Sequence, residues 1–327
     1  MKLRNLYLAS LGFSVLSAMN FHIVYAQGTP STDTSVASAH HHIWNPLLVG
    51  VRTRLTYETV QNAKETLYIF KPINHLYPLS PVVVYVHGGF LMYGNAVIGF
   101  DTSQYNPHDE MIARIEAGLV SRGFTFVSIN YRLAPAYKWP TQLEDAKAAI
   151  RFLRAHASEL GINPLRIGVM GDSAGGGLAN FIGLTGQDRK FNNGTWPNES
   201  SSVSAVVDMF GPSNRRPFAL HWLKTHGTSP NPVFGYYTPT TIANESAVDY
   251  VKPGDPPFLI LQGLEDTVEP PYQSFDLYSR LRSTGNSAQL ILIHHSQHEF
   301  HAVGVPISPT ITTLSDDVVT FFFRQLG

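Results

Sequence analysis

With 327 residues, 43% of them hydrophobic and only 14% charged, the chain can bury one large core or two small ones. Its 23 Lys and Arg against 24 Asp and Glu leave a formal net charge of −1, which excludes the one-signed field a nucleic-acid partner requires. Cysteine is absent, so the chain folds without disulfides and carries no lipoprotein cysteine.

Lys2 and Arg4 precede the apolar run Leu6 to Ala18, and Val24-Tyr25-Ala26 presents side chains of the size a signal peptidase reads. Residues 1–26 are expected to form a signal peptide cleaved near Ala26, which makes the mature chain secreted or periplasmic. Asn20 and His22 interrupt the apolar run, so no stable membrane span is expected. Residues 27–53, rich in Ser, Thr, Ala and His, read as a flexible N-terminal arm, with His40-His41-His42 solvated rather than ligating.

From residue 54 onward apolar strands alternate with helices. Leu55 to Val60 and Glu65 to Pro72 show the partial alternation of two antiparallel edge strands. Val82 to Val86, Phe124 to Asn130, Ile167 to Met170, Val203 to Met209, Phe258 to Leu261 and Gln289 to Ile293 are apolar runs, as strands covered on both faces require. Helices are predicted over Asp109 to Arg122, over Thr141 to Leu160 with Thr141 as cap and Gly161 as stop, over Pro270 to Gly285 and over Thr310 to Gln325. This order predicts an α/β domain over 54–327, with a mostly parallel sheet and helices on both faces. Residues 213–257, with Pro217, Phe218, Trp222, Tyr236 and Pro239, break the alternation and read as an irregular lid insertion.

The chemistry centres on Gly171-Asp172-Ser173-Ala174-Gly175, set between the Ile167 strand and the helical run Leu178 to Ile182. That context makes it a nucleophile elbow, a tight turn that exposes a serine hydroxyl above the sheet beside a helix N-terminus. A hydroxyl needs a base, and the base needs an orienting acid. Asp266 follows the Phe258 strand and His298 follows the Gln289 strand, so both loops open on the side where Ser173 emerges. Glu265 competes with Asp266, and His301 with His298; Asp172 is assigned to bonding the neighbouring loop. His294, His295, His298 and His301 have no second ligand cluster, so no metal and no cofactor are expected.

Together with His87-Gly88-Gly89, Asn130-Tyr131-Arg132-Leu133-Ala134-Pro135 and Leu143-Glu144-Asp145, the elbow resembles the hormone-sensitive-lipase-like (bacterial family IV) esterases of the α/β-hydrolase fold. The resemblance covers roughly residues 65 to 327. It implies hydrolysis of small-molecule carboxylic esters through an acyl-enzyme, with Ser173, Asp266 and His298 as triad and the amides of Gly88, Gly89 and Ala174 as oxyanion donors. Phe90 stands where the family usually has a third glycine, and Glu299 where a small residue usually follows the base. The Asp266-Thr267-Val268-Glu269-Pro270 loop and the 207–212 stretch are also similar to secreted polysaccharide-associated esterases related to feruloyl esterases. The reading is an exported serine carboxylesterase for short-chain or aromatic esters. Its alternatives are a feruloyl- or acetyl-xylan-type esterase and a non-catalytic binding protein on the same fold, and the oligomeric state is left open.

Overall fold

The computed structural model describes residues 50–60, 63–96, 106–186 and 188–327. The expected signal peptide, its cleavage point and His40 to His42 lie outside the described residues, as does the expected arm up to residue 49. The remainder of that arm is strand: β1 (Gly50–Val60) starts ahead of the expected boundary and pairs antiparallel with β2 (Ala63–Pro72). The register Arg52↔Phe70 and Arg54↔Tyr68 explains the early start, because Arg52 lies over the rings of Tyr68 and Phe70.

The elements that follow are β3 (Ser80–Val86), α1 (Pro107–Ser121), β4 (Thr125–Ile129), α2 (Thr141–Ala155), α3 (Ala157–Leu160), β5 (Ile162–Asp172), α4 (Ala174–Thr185) and β6 (Ala205–Met209). After them come α5 (Arg216–His226), α6 (Pro239–Asn244), β7 (Phe258–Gly263), α7 (Tyr272–Ser283), β8 (Ala288–Ile293) and α8 (Ile311–Leu326). The eight strands form one sheet in the order β1-β2-β4-β3-β5-β6-β7-β8. β2 meets β4 antiparallel, and every pairing from β4 to β8 is parallel. This is the α/β-hydrolase fold.

Alternation along β3 divides the interior into two layers. Val82, Val84 and Val86 pack with Leu143, Ile150, Leu178 and Ile182, whereas Val83 and Tyr85 pack with Ile112, Ile115, Val318 and Phe322. Each fully buried aliphatic or aromatic side chain contributes about 1.5–3 kcal/mol, so both helical layers clamp β3, the neighbour of the β5 strand that leads to Ser173.

Two sequence expectations are corrected. The helix predicted over 141–160 breaks at His156, whose φ of −102° and ψ of 18° leave the helical region. Thr141 is the first helical residue rather than the cap, a place taken by Pro140 without a side-chain bond. The 213–257 insertion is not irregular: it holds α5, α6 and a turn at Ala247–Tyr250. Pro217 and Pro239, among the residues that set the segment apart, occupy first-turn positions where the missing N–H costs nothing. Thr238 closes a capping box with Thr241, and Arg216 pairs with Asp249.

Candidate active site

Ser173 joins β5 to α4 with φ 48° and ψ −121°, a conformation that costs an L-residue on the order of 1–3 kcal/mol. The turn is held by the Ser173 N–H donating to the Met209 carbonyl at 2.9 Å. Glycine on either side is a steric requirement. A Cβ on Gly171 would lie 2.3 Å from the Gly175 carbonyl oxygen, and one on Gly175 would lie 2.0 Å from that of Val86.

The parallel sheet brings the distant partners to this hydroxyl. His298 Nε2 lies 3.1 Å from Ser173 Oγ, and its Nδ1 lies 2.7 Å from Asp266 Oδ2. The second oxygen of Asp266 accepts from the amides of Val268 at 2.8 Å and Glu269 at 2.9 Å, which fixes the carboxylate in the plane that serves the imidazole. Burial alone would lower the His298 pKa, but the hydrogen bond and charge of Asp266, with Glu269 and Glu299 farther off, outweigh it and raise the pKa.

The two rivals act elsewhere. Glu265 accepts from the Ser296 N–H at 2.9 Å while its own amide donates to Ser296 O at 3.0 Å, so it ties the acid loop to the base loop. His301 is half exposed and pairs with Glu299 at 3.6 Å.

The loop after β3 is braced from below. The Tyr131 hydroxyl donates to His87 O at 2.9 Å, the His87 ring stacks on Tyr131 at 4.3 Å, and the Ala134 amide donates to Leu91 O at 2.9 Å. Arg132 grips Asp145 through Nε at 2.9 Å and Nη2 at 2.5 Å, which anchors the tyrosine's strand end to α2. The motif residues 130–135 and Asp145 are thus the loop's foundation.

One expected oxyanion donor is corrected. The Gly88 N–H is already committed to Asp172 Oδ1 at 3.1 Å, an oxygen that also accepts from Tyr85 Oη at 2.7 Å. Gly88 is glycine because a Cβ there would meet Asp172 Oδ2 at 2.4 Å and Ser173 Cβ at 3.2 Å. Among the described residues the amides of Gly89, Phe90 and Ala174 meet no protein acceptor. The Phe90 amide is a free donor beside the elbow that the sequence reading did not single out. Its φ of 56° follows a glycine at 104°, so the chain turns through the left-handed region here even though Phe90 carries a large side chain.

The BD-FAE family profile matches residues 67–281, which span the braced loop, the elbow and the acid loop. The chain belongs to the BD-FAE family. Among curated proteins it is similar to esterase LipC of Mycobacterium tuberculosis, 29% identical over 64% of this chain and 50% of that protein. It is also similar to carboxylesterase NlhH of the same organism, 42% identical over 33% of this chain and 30% of that protein. The chain spans about half the length of the first of these relatives. Among solved structures, a truncated carbohydrate esterase from gut microbiota has a TM-score of 0.65 at 24% identity, covering 85% of this chain and 98% of that one. The propionate-bound esterase Est2 of Thermogutta terrifontis has a TM-score of 0.65 at 21% identity, covering 88% and 98%.

Within this BD-FAE chain the residue after the base has a structural reason to be unusual. Glu299 sits at φ 58° and Phe300 at φ 62°, and the pair turns the loop so that the Phe300 ring packs on Phe210 at 4.9 Å. Phe210 in turn packs edge-on against His298 at 4.7 Å. The Glu299 carboxylate accepts from Asn106 Nδ2 at 3.4 Å, tying the base loop to the start of α1. Among the described residues no helix is long and apolar enough to cross a membrane.

Proposed function

We propose that this chain is a serine carboxylesterase that hydrolyses carboxylic esters of small acyl groups through an acyl-enzyme. The observation that carries the reading is the relay of 2.7 Å and 3.1 Å from Asp266 through His298 to a serine held in an elbow. Ser173 Oγ attacks the ester carbonyl while His298 Nε2 takes its proton, and Asp266 holds the imidazole in the tautomer that can do so. The amides of Gly89, Phe90 and Ala174 receive the oxyanion, each donor being worth about 3–4 kcal/mol of barrier. His298 then returns the proton to the departing alcohol, and water repeats the sequence on the acyl-enzyme. The propionate in the Thermogutta esterase and the carbohydrate esterase among the relatives support short acyl groups carried on sugar alcohols.

The test is covalent. Diethyl 4-nitrophenyl phosphate is expected to add one diethylphosphoryl group to the chain, located at Ser173 by peptide mass spectrometry. Labelling at any other residue, or none while ester turnover persists, overturns the assignment.

The raised His298 pKa sets the acid limb of activity. The base works only when neutral, and its protonated form is favoured in the folded site. The value of kcat/KM for 4-nitrophenyl acetate is therefore expected to fall as pH drops through a midpoint above the ordinary histidine value of about 6.5. A midpoint below that value would contradict the dominance of Asp266 over burial.

A further inference from the structure

Behind the nucleophile lies a second buried imidazole that the relay does not use. His108, in the first turn of α1, has a side chain only 10% exposed. Its Nε2 lies 3.5 Å from Asp172 Oδ2 and its Nδ1 lies 3.4 Å from Asp109 Oδ1. Both ring nitrogens thus lie at ion-pair distance from carboxylates, which only accept, while Nε2 makes no hydrogen bond to any described residue. A neutral imidazole would turn a lone pair toward one of them, so the geometry suits the doubly protonated ring.

The other carboxylate oxygen of Asp172 does different work. It accepts from Gly88 N–H and Tyr85 Oη, so Asp172 links His108 to the root of the loop whose next amides are Gly89 and Phe90. Asp172 is also the residue immediately before Ser173. One carboxylate therefore ties the loop after β3 to the residue before Ser173, and one imidazole lies at ion-pair distance from that carboxylate's other oxygen.

We propose that His108 is a positioning residue which, as a buried cation paired with Asp172, holds the Gly88-Gly89-Phe90 loop in register with Ser173. The proposal rests on the esterase reading. Several groups face the ring. Asp109 lies on its own helix, Asp172 at the end of β5 and Glu299 in the base loop, and the Phe210 ring packs edge-on at 6.2 Å, while Tyr85 on β3 meets the same Asp172. His87 neighbours the same Asp172. Burial, and the positive end of α1, oppose the cation; the Asp172 charge and the closeness of both carboxylates outweigh them and raise the His108 pKa to about 10. The same pairing lowers the Asp172 pKa against the effect of its burial.

The consequence is an ionisation separate from that of His298. As pH rises through the His108 pKa the cation is lost, Asp172 is left buried and charged beside a neutral ring, and the loop loses its anchor. Turnover should then fall on the alkaline side.

The full chain with His108→Gln tests this, with 4-nitrophenyl acetate as probe. The glutamine keeps a donor toward Asp172 without the charge. We expect kcat to fall about 10- to 100-fold with KM nearly unchanged, and the alkaline limb to disappear. Asp172→Asn in the same background should add little, because both changes act through one link. Unchanged kcat with an alkaline limb superimposable on wild type would overturn the proposal, as would multiplicative losses in the double variant. Should the glutamine variant not fold, nitrogen NMR of labelled histidine in the unsubstituted protein decides. Two protonated ring nitrogens on His108 at pH 8 support the pair, and a neutral ring overturns it. Labelling with diethyl 4-nitrophenyl phosphate separates the two levels. If the unsubstituted chain is not labelled at Ser173, the esterase reading fails. If the glutamine variant is labelled at the unsubstituted rate, only the role of His108 fails.

Discussion

Replacing Ser173 by alanine is expected to lower kcat for 4-nitrophenyl acetate by about 10⁶-fold, since a nucleophile acting within a relay leaves only oxyanion stabilisation and binding when it is lost. The fold should survive. The hydroxyl's contact in the relay is His298 Nε2, whose side chain is 15% exposed and so can be met by water. Ser173→Gly gives a sharper result. It also removes the nucleophile, but it relieves the φ of 48°, so it should be more stable than the alanine variant by about 1 kcal/mol after glycine's own entropic cost is subtracted. Thermal unfolding of the two variants alongside their turnover checks both parts. Residual turnover within 100-fold of wild type in either variant would move the nucleophile elsewhere.

The elbow was legible because its constraint is local and steric. Gly171, Ser173 and Gly175 must be small or strained for reasons that act within five residues and across one neighbouring strand. The parallel sheet was legible for a related reason: runs such as Val82 to Val86, buried on both faces, have few alternatives to a covered parallel sheet. Asp266 and His298 followed from that topology, since loops at one end of parallel strands converge. The commitment of Gly88 was hidden. Its amide is taken by Asp172, a contact across 84 positions that no spacing reveals, and that contact is why the proposed donors are Gly89 and Phe90. His108 was hidden for the same reason: the carboxylate it lies beside belongs to a distant strand, β5. The helices of the 213–257 insertion were missed because the segment departs from the strand–helix alternation, although Pro217 and Pro239 stand in first turns.

The remaining large effect concerns the acid. Asp266→Asn is nearly isosteric, and the reason it should fail is a matter of which atom faces which. Oδ1 of Asp266 is held by two N–H donors, from Val268 at 2.8 Å and Glu269 at 2.9 Å. In the asparagine variant those two donors will claim the amide oxygen, because the alternative sets two N–H groups against an NH2 group. The NH2 group is then forced toward His298 Nδ1, which must present its lone pair. The ring proton moves to Nε2, where it faces Ser173 Oγ, so the base cannot accept the serine proton. A fall in kcat of about 10⁴-fold is expected, with the chain still folded and KM little changed. The variant also loses the interactions that raise the His298 pKa, so the acid limb of kcat/KM should move to lower pH than in wild type. A loss of less than tenfold with the limb unmoved would assign the orienting role to another group, of which Glu269, buried three residues along the same loop and with its pKa raised first by that burial, is the first to test.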